Sequence, residues 1–224
     1  MAYTKSTSQV DPCFHTLQKG IQMLARIRNR FNPAFAEILA AGVLIGILVI
    51  VYSQTASFDF VNYDDQEYVV NNAMVRQGLT SAGLGWAFTT FTVANWHPLT
   101  WLSHMLDVEL FGLSPSGHHL SNVLLHLTNT LLLFLLLRRA TGYPWRSMFT
   151  AALFGLHPIH VESVAWIAER KDLLSTLFML LAMYAYQRYA TARTAAAYLA
   201  ALLLFALGLM AKPMLVTLPF VLIL

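Results

Sequence analysis

Residues 34–53 read AFAEILAAGVLIGILVIVYS, twenty positions with a single charge, Glu37, near the start. As a helix rising about 1.5 Å per residue, such a run matches the roughly 30 Å hydrocarbon layer of a bilayer. Further apolar stretches follow at 118–137, 143–158, 173–189 and 195–210, and one that starts at 213 is still running at Leu224. The pattern predicts an all-α, polytopic membrane protein of about six helices, the last cut short, and hence a piece of a longer protein. Composition points the same way. Of 224 residues, 57% are hydrophobic and 11% charged, against about 25% charged in an ordinary soluble domain. One cysteine, Cys13, excludes a disulfide framework, an iron–sulfur site or a cysteine zinc cluster. The small net charge of +3 gives no reason to expect a nucleic-acid partner.

Residues 1–33 form a basic tail, with Lys5, Lys19, Arg26, Arg28 and Arg30 against Asp11. Within it, 17–30 reads either as a short amphipathic helix on a membrane surface or as a plain positive flank. With this tail in the cytoplasm, every Lys and Arg except Arg76, Arg170, Lys171 and Lys212 falls inside. Every acid except Asp11 and Glu37 falls outside. The positive-inside rule therefore fixes the orientation. The reading is an integral, multi-pass protein, of a bacterial inner membrane rather than an endoplasmic reticulum.

The first outer loop, 54–117, is too long for a simple connector. Two stretches in it look amphipathic: 79–91, with Leu84, Trp86, Phe88 and Phe91, and 99–111, with Trp101, Leu102, Met105, Leu106 and Leu110. Aromatic-rich segments favour the headgroup region, which predicts two short helices resting on the outer surface.

Helix parity gathers the acid–base residues on that same face. Asp64 and Asp65 are adjacent carboxylates, whose repulsion and burial raise at least one pKa. A carboxylate so placed can take a hydroxyl proton as general base, and a pair of acids can hold a divalent cation; a solvated acidic loop is the plainer alternative. The stretch from His157 to Asp172 holds His157, His160 and Glu162, but His-x-x-His-x-Glu lacks the spacing of a zinc protease. Arg170 and Lys171 stand where a helix re-enters the membrane, suited to a lipid phosphate or to ordinary snorkelling. His97 and Pro98 lie between the two surface helices, and His118 and His119 open the second membrane helix. His126, deeper in that helix, suggests an interhelical hydrogen bond with Asn122 or Asn129.

Taken together, Tyr63-Asp64-Asp65, Trp96-His97-Pro98-Leu99-Thr100, Ser116-Gly117-His118-His119 with Asn122, His157-Pro158-Ile159-His160-Val161-Glu162-Ser163 and Glu169-Arg170-Lys171-Asp172 carry a family likeness. The set resembles the transmembrane and tetratricopeptide-repeat O-mannosyltransferases and their bacterial relatives, of the GT-C class, across most of 34–224. The resemblance implies a GT-C-like membrane module that moves a sugar from a polyprenyl- or dolichyl-phosphate donor to a protein Ser/Thr hydroxyl outside the cytoplasm. By that likeness Asp64, or else Asp65, is the base of an inverting displacement, and Arg170 and Lys171 offset the charge of the leaving phosphate. His97, His118, His119, His157, His160 and Glu162 shape the substrate pocket. Membrane lipids are further partners, and no cofactor or metal is required by such a mechanism. The family's later membrane helices and its repeats, which hold the acceptor, are not in this sequence. A lipid-linked sugar transporter or a non-catalytic membrane scaffold are the competing readings of the same residues.

Overall fold

A computed structural model of the chain describes residues 33–223. The expected basic tail and its 17–30 helix lie outside them. The chain divides within its first helix into two units, Met1–Gly42 and Val43–Leu224. Of the first unit only the helical residues 33–42 are described. The rest concerns the second.

Among the described residues all regular structure is helical. Helix α1 runs Pro33–Tyr52. Leu44, Leu48 and Tyr52, one turn apart, are buried against Phe134, Ala151, Val164 and Leu173. The other sides stay bare: Val43, Ile47 and Ile50 are 54%, 42% and 75% exposed. Such a contiguous apolar face suits lipid and not water. Helices α2 (Ser81–Thr89) and α3 (Pro98–Phe111) form in the long loop. Thr80 starts α2 as its N-cap, its hydroxyl accepting the Gly83 amide at 3.0 Å. Pro98 starts α3 at the first-turn position that needs no amide donor. The expected surface helices therefore exist, but α3 does not merely rest on a surface. Trp101, His104 and Met105 have no exposure, and the Thr100 hydroxyl donates to the Ala211 carbonyl at 3.0 Å.

Helix α4 spans Pro115–Thr141 and closes on Gly142, whose φ of +71° lets its amide cap the Arg138 carbonyl. Helices α5 (Pro144–Leu156) and α6 (His160–Ala165) are separated by Pro158, which cannot continue a helix. After the turn Ile167–Glu169 comes α7 (Arg170–Ala192), then α8 (Ala195–Ala211), the turn Pro213–Thr217 and α9 (Leu218–Ile223).

One face of α4 carries a polar stripe: His118, Asn122, His126 and Asn129, all buried. His118 Nε2 lies 3.2 Å from the Gly112 carbonyl just before the helix, and the other three pair with backbone carbonyls of the neighbouring segment 155–173. Asn122 donates to Val164 and Trp166, both at 3.2 Å, and Asn129 to Leu173 at 2.9 Å. His126 Nε2 lies 2.9 Å from the Gly155 carbonyl. The Gly155, Val164 and Trp166 carbonyls, freed where helices stop, must find donors in an apolar setting, and α4 supplies them. The interhelical bond expected of His126 is thus present, with Gly155 as partner instead of Asn122 or Asn129. Gly155 is there because a Cβ would come within 3.1 Å of both Thr130 and Leu48.

By length and composition two helical stretches among the described residues suffice to cross a membrane, Ala34–Ser57 and Pro115–Thr141. Helix α7 has 23 residues but opens on Arg170, Lys171 and Asp172; α5 has 13 and α8 has 17.

Candidate functional site

The starts of α4 and α7, the end of α8 and the loop around 58–70 meet, and polar side chains concentrate where they do. At the centre is Arg170, 1% exposed, with all three guanidinium nitrogens engaged. Its Nε donates to Asn122 Oδ1 at 2.8 Å, Nη1 to Asp107 Oδ2, and Nη2 to the His118 carbonyl at 2.7 Å. Asp107 also accepts from the Ser121 hydroxyl at 2.7 Å and has His118 Nδ1 at 3.3 Å. Burial would push the Asp107 carboxyl up; the His118 ring, Arg170 and Ser121 outweigh it and hold the pKa below the ordinary value.

Asp65 is wholly buried. Its two oxygens accept the Val61 amide, four residues back, and the Ala168 amide, both at 2.8 Å. Burial raises its pKa against the pull of those amides and of His118, with Asp64's charge adding to the rise. Asp64 itself is half-buried and, among the described residues, takes no hydrogen bond or ion pair. The two adjacent acids are therefore unlike: one pins the loop, the other stays unengaged.

Tyr68 forms the floor between these groups. Its ring stacks on His97 at 5.4 Å and on Trp101 at 4.8 Å, and the Lys171 ammonium sits 4.9 Å from its centre. Burial, then the charges of Asp64, Glu169 and Glu67, raise the Tyr68 pKa. Burial and then Lys171 lower His97 to about 4. His104, edge-on to Tyr68 and fully buried, is held well below its ordinary value by burial and next by Arg170. These rings remain neutral at pH 7.

At the rim, Glu169 lies between two lysines, 2.7 Å from Lys171 Nζ and 3.9 Å from Lys212 Nζ. Lys212 also pairs with Asp172, which accepts the Ser163 hydroxyl at 3.2 Å. A groove of about 350 Å³ opens beside them, lined by His160, Ser163, Asp172, Thr176, Lys212 and Thr217, with Met179, Met214 and Leu215 among its apolar contacts.

Of the residues expected from the sequence, Asp65, His118 and Arg170 meet in the buried knot. Asp64 and Lys171 belong to its rim, and His97 packs beneath Tyr68. His160 joins the groove. His119 is buried edge-on to Phe58 at 6.1 Å. His157 and Glu162 are exposed, His157 Nδ1 accepting the Ile159 amide at 3.2 Å. The sequence reading passed over Asp107, Ser121, Tyr68, Glu169 and Lys212 as site residues. Asp107 had a signal: an acid in an apolar stretch, six residues after Trp101 and three after His104. Among the described residues no three His, Cys, Asp or Glu side chains gather to hold a metal ion.

Long apolar helices ending in a sunken set of acids, rings and a guanidinium, with Arg170 and Asp107 fully partnered, define a helical membrane protein with a built polar site. The chain belongs to the dolichyl-phosphate-mannose-protein mannosyltransferase family, whose model matches residues 98–224. It is similar to the protein O-mannosyl-transferase TMTC1 of Mus musculus, 36% identical over 160 residues, which are 66% of this chain and 17% of that protein. Tmtc1 of Drosophila melanogaster is 34% identical over 147 residues (62% of this chain, 17% of that one). Tmtc2 of the same organism is 31% identical over 183 residues (75% and 18%). The chain thus spans about a sixth of the length of these curated relatives. No solved structure matches it.

Proposed function

We propose that the whole protein is a membrane glycosyltransferase with about six membrane helices in this module, its basic tail cytoplasmic. It transfers mannose from a polyprenyl- or dolichyl-phosphate donor to a Ser/Thr hydroxyl of a protein, on the extracytoplasmic side. The observation that carries this reading is the contrast at 64–65. Asp65 is immobilised by two backbone amides, which leaves Asp64 unengaged on a fixed loop.

In the reaction the acceptor oxygen attacks the anomeric carbon while Asp64 takes its proton. The carbon–oxygen bond to the lipid phosphate breaks on the opposite face, with inversion, and its electron pair leaves on the phosphate. Cations must offset that developing charge. Lys171 serves here as the sequence suggested. Arg170 does not, since its guanidinium is buried and engaged by protein groups; Lys212, the second lysine at Glu169, takes its part. His160 and Ser163 line the groove that receives substrate.

The test is mannose transfer from a polyprenyl-phosphate donor to an acceptor peptide in membranes holding the whole protein. Asp64→Asn should lower kcat roughly 10²- to 10⁴-fold, the range a positioned general base supplies. Transfer at the unmutated rate in Asp64→Asn overturns the role. Transport of the lipid-linked sugar with no covalent product overturns the enzyme reading itself.

A further inference from the structure

The segment 164–170 is bonded to its surroundings at nearly every second residue. The Val164 and Trp166 carbonyls accept from Asn122 on α4, the Ala168 amide donates to Asp65 in the first loop, and Arg170 reaches α3 and α4. Asn122 closes the circuit, because its carbonyl oxygen accepts Arg170 Nε at 2.8 Å. Three distant parts of the chain meet at residues 168–170: Asn122 and Asp107 at Arg170, with Ser121 bonded to Asp107, and Asp65 at the Ala168 amide. The two ends of this circuit are the groups the chemistry needs. Asp64 adjoins Asp65, and Lys171 adjoins Arg170.

We propose that Arg170, Asn122 and Asp107 are positioning residues, a rigid brace that sets the separation between the Asp64 carboxylate and the Lys171 ammonium. The inference rests on the glycosyltransferase reading above. A planar guanidinium holds its donors on three nitrogens at fixed angles, so it ties one carboxylate, one amide oxygen and one carbonyl in different directions, whereas an ammonium has all three donors on one nitrogen at the end of a flexible stem. Burial matters equally. With no water to substitute for a lost partner, a change at Arg170 has to be taken up by movement of the backbone it ties. Neither Asn122 nor Asp107 reaches the groove, so their effect on the reaction runs through geometry.

The experiment compares Arg170→Lys and Asn122→Ala with Lys171→Ala in the whole protein, measuring kcat and KM for a polyprenyl-phosphate mannose donor. For the two brace variants we expect kcat to fall about tenfold to a hundredfold, as small misplacements of reacting groups do. Donor KM should stay within about twofold, because neither residue touches the donor. Lys171→Ala should instead raise donor KM. A parallel measurement is the distance between spin labels at Tyr63→Cys and Val161→Cys in a Cys13→Ser background, both sites being exposed. In Asn122→Ala, the milder change, the distribution should broaden. Donor KM rising in Arg170→Lys as much as in Lys171→Ala overturns the inference and makes Arg170 a substrate contact. Unchanged kcat with an unbroadened distance distribution in Asn122→Ala overturns it too. An unmutated protein that transfers no sugar refutes the enzyme reading, and the label distances then still report on the brace.

Discussion

The knot around Arg170 and the rim around Lys171 are built from neighbouring residues and obey different physics. One step along a helix turns the side chain by about 100°. That turn takes Arg170 into a dry interior, where each of its guanidinium nitrogens meets an acceptor, and leaves Lys171 at the edge beside Glu169, its side chain 13% exposed. In the interior a charge is tolerated only while its partners are complete. At the rim, water and salt can replace any partner, so the same ion-pair chemistry contributes little to stability and is available to a ligand. Cations of equal formal charge thus divide into one that holds the fold and one that can serve the reaction.

This contrast can be broken at its strongest point first. Asp107→Leu strands a buried guanidinium and should cost about 3–5 kcal/mol, read as a fall in the thermal unfolding midpoint of the detergent-solubilised protein. Lys212→Ala, at the rim, should cost no more than about 1 kcal/mol in the same assay. Equal losses in the two would erase the distinction between knot and rim. Pairing Asp107→Leu with Arg170→Met sharpens it: the double variant should be more stable than Asp107→Leu alone, since no uncompensated charge remains.

A smaller effect is set by pH. His97 is folded in its neutral form, its pKa lowered from 6.5 to about 4. Below the unfolded value the unfolded chain binds the proton that the folded ring refuses, so this contribution is whole above pH 6.5 and is lost as pH falls toward 4. The unfolding midpoint should drop across that window, and His97→Phe should flatten part of the drop. A profile identical in the variant would remove His97 from the account. Smallest is Thr80→Ala, which deletes the α2 cap and should cost about 1 kcal/mol with no change in donor KM.

The helices were legible because burial in lipid or core leaves a local imprint. The run at 34–53 became α1 within a residue at each end, and 195–210 became α8. Pro158 marked the break between α5 and α6. The division of labour within Asp64-Asp65 and Arg170-Lys171 was not legible. Adjacent identical charges look alike in one dimension, and what separates them is a contact with residues 103 and 63 positions away, Ala168 for Asp65 and Asp107 for Arg170. The same holds for His126. An apolar neighbourhood signalled that it needs a partner, but the Gly155 carbonyl became one only because two helices approach closely there.

The bond from the Thr100 hydroxyl to the Ala211 carbonyl joins groups 111 residues apart. A ribosome must therefore make, and the membrane must accept, everything from α4 to the end of α8 before α3 can settle. Trp101 and Met105 find their core neighbours sooner, the last of them, Ile167 and Ala168, arriving just before α7. The last contact of α3 thus closes only after the chain has returned through α8, a long-range closure that comes late in folding.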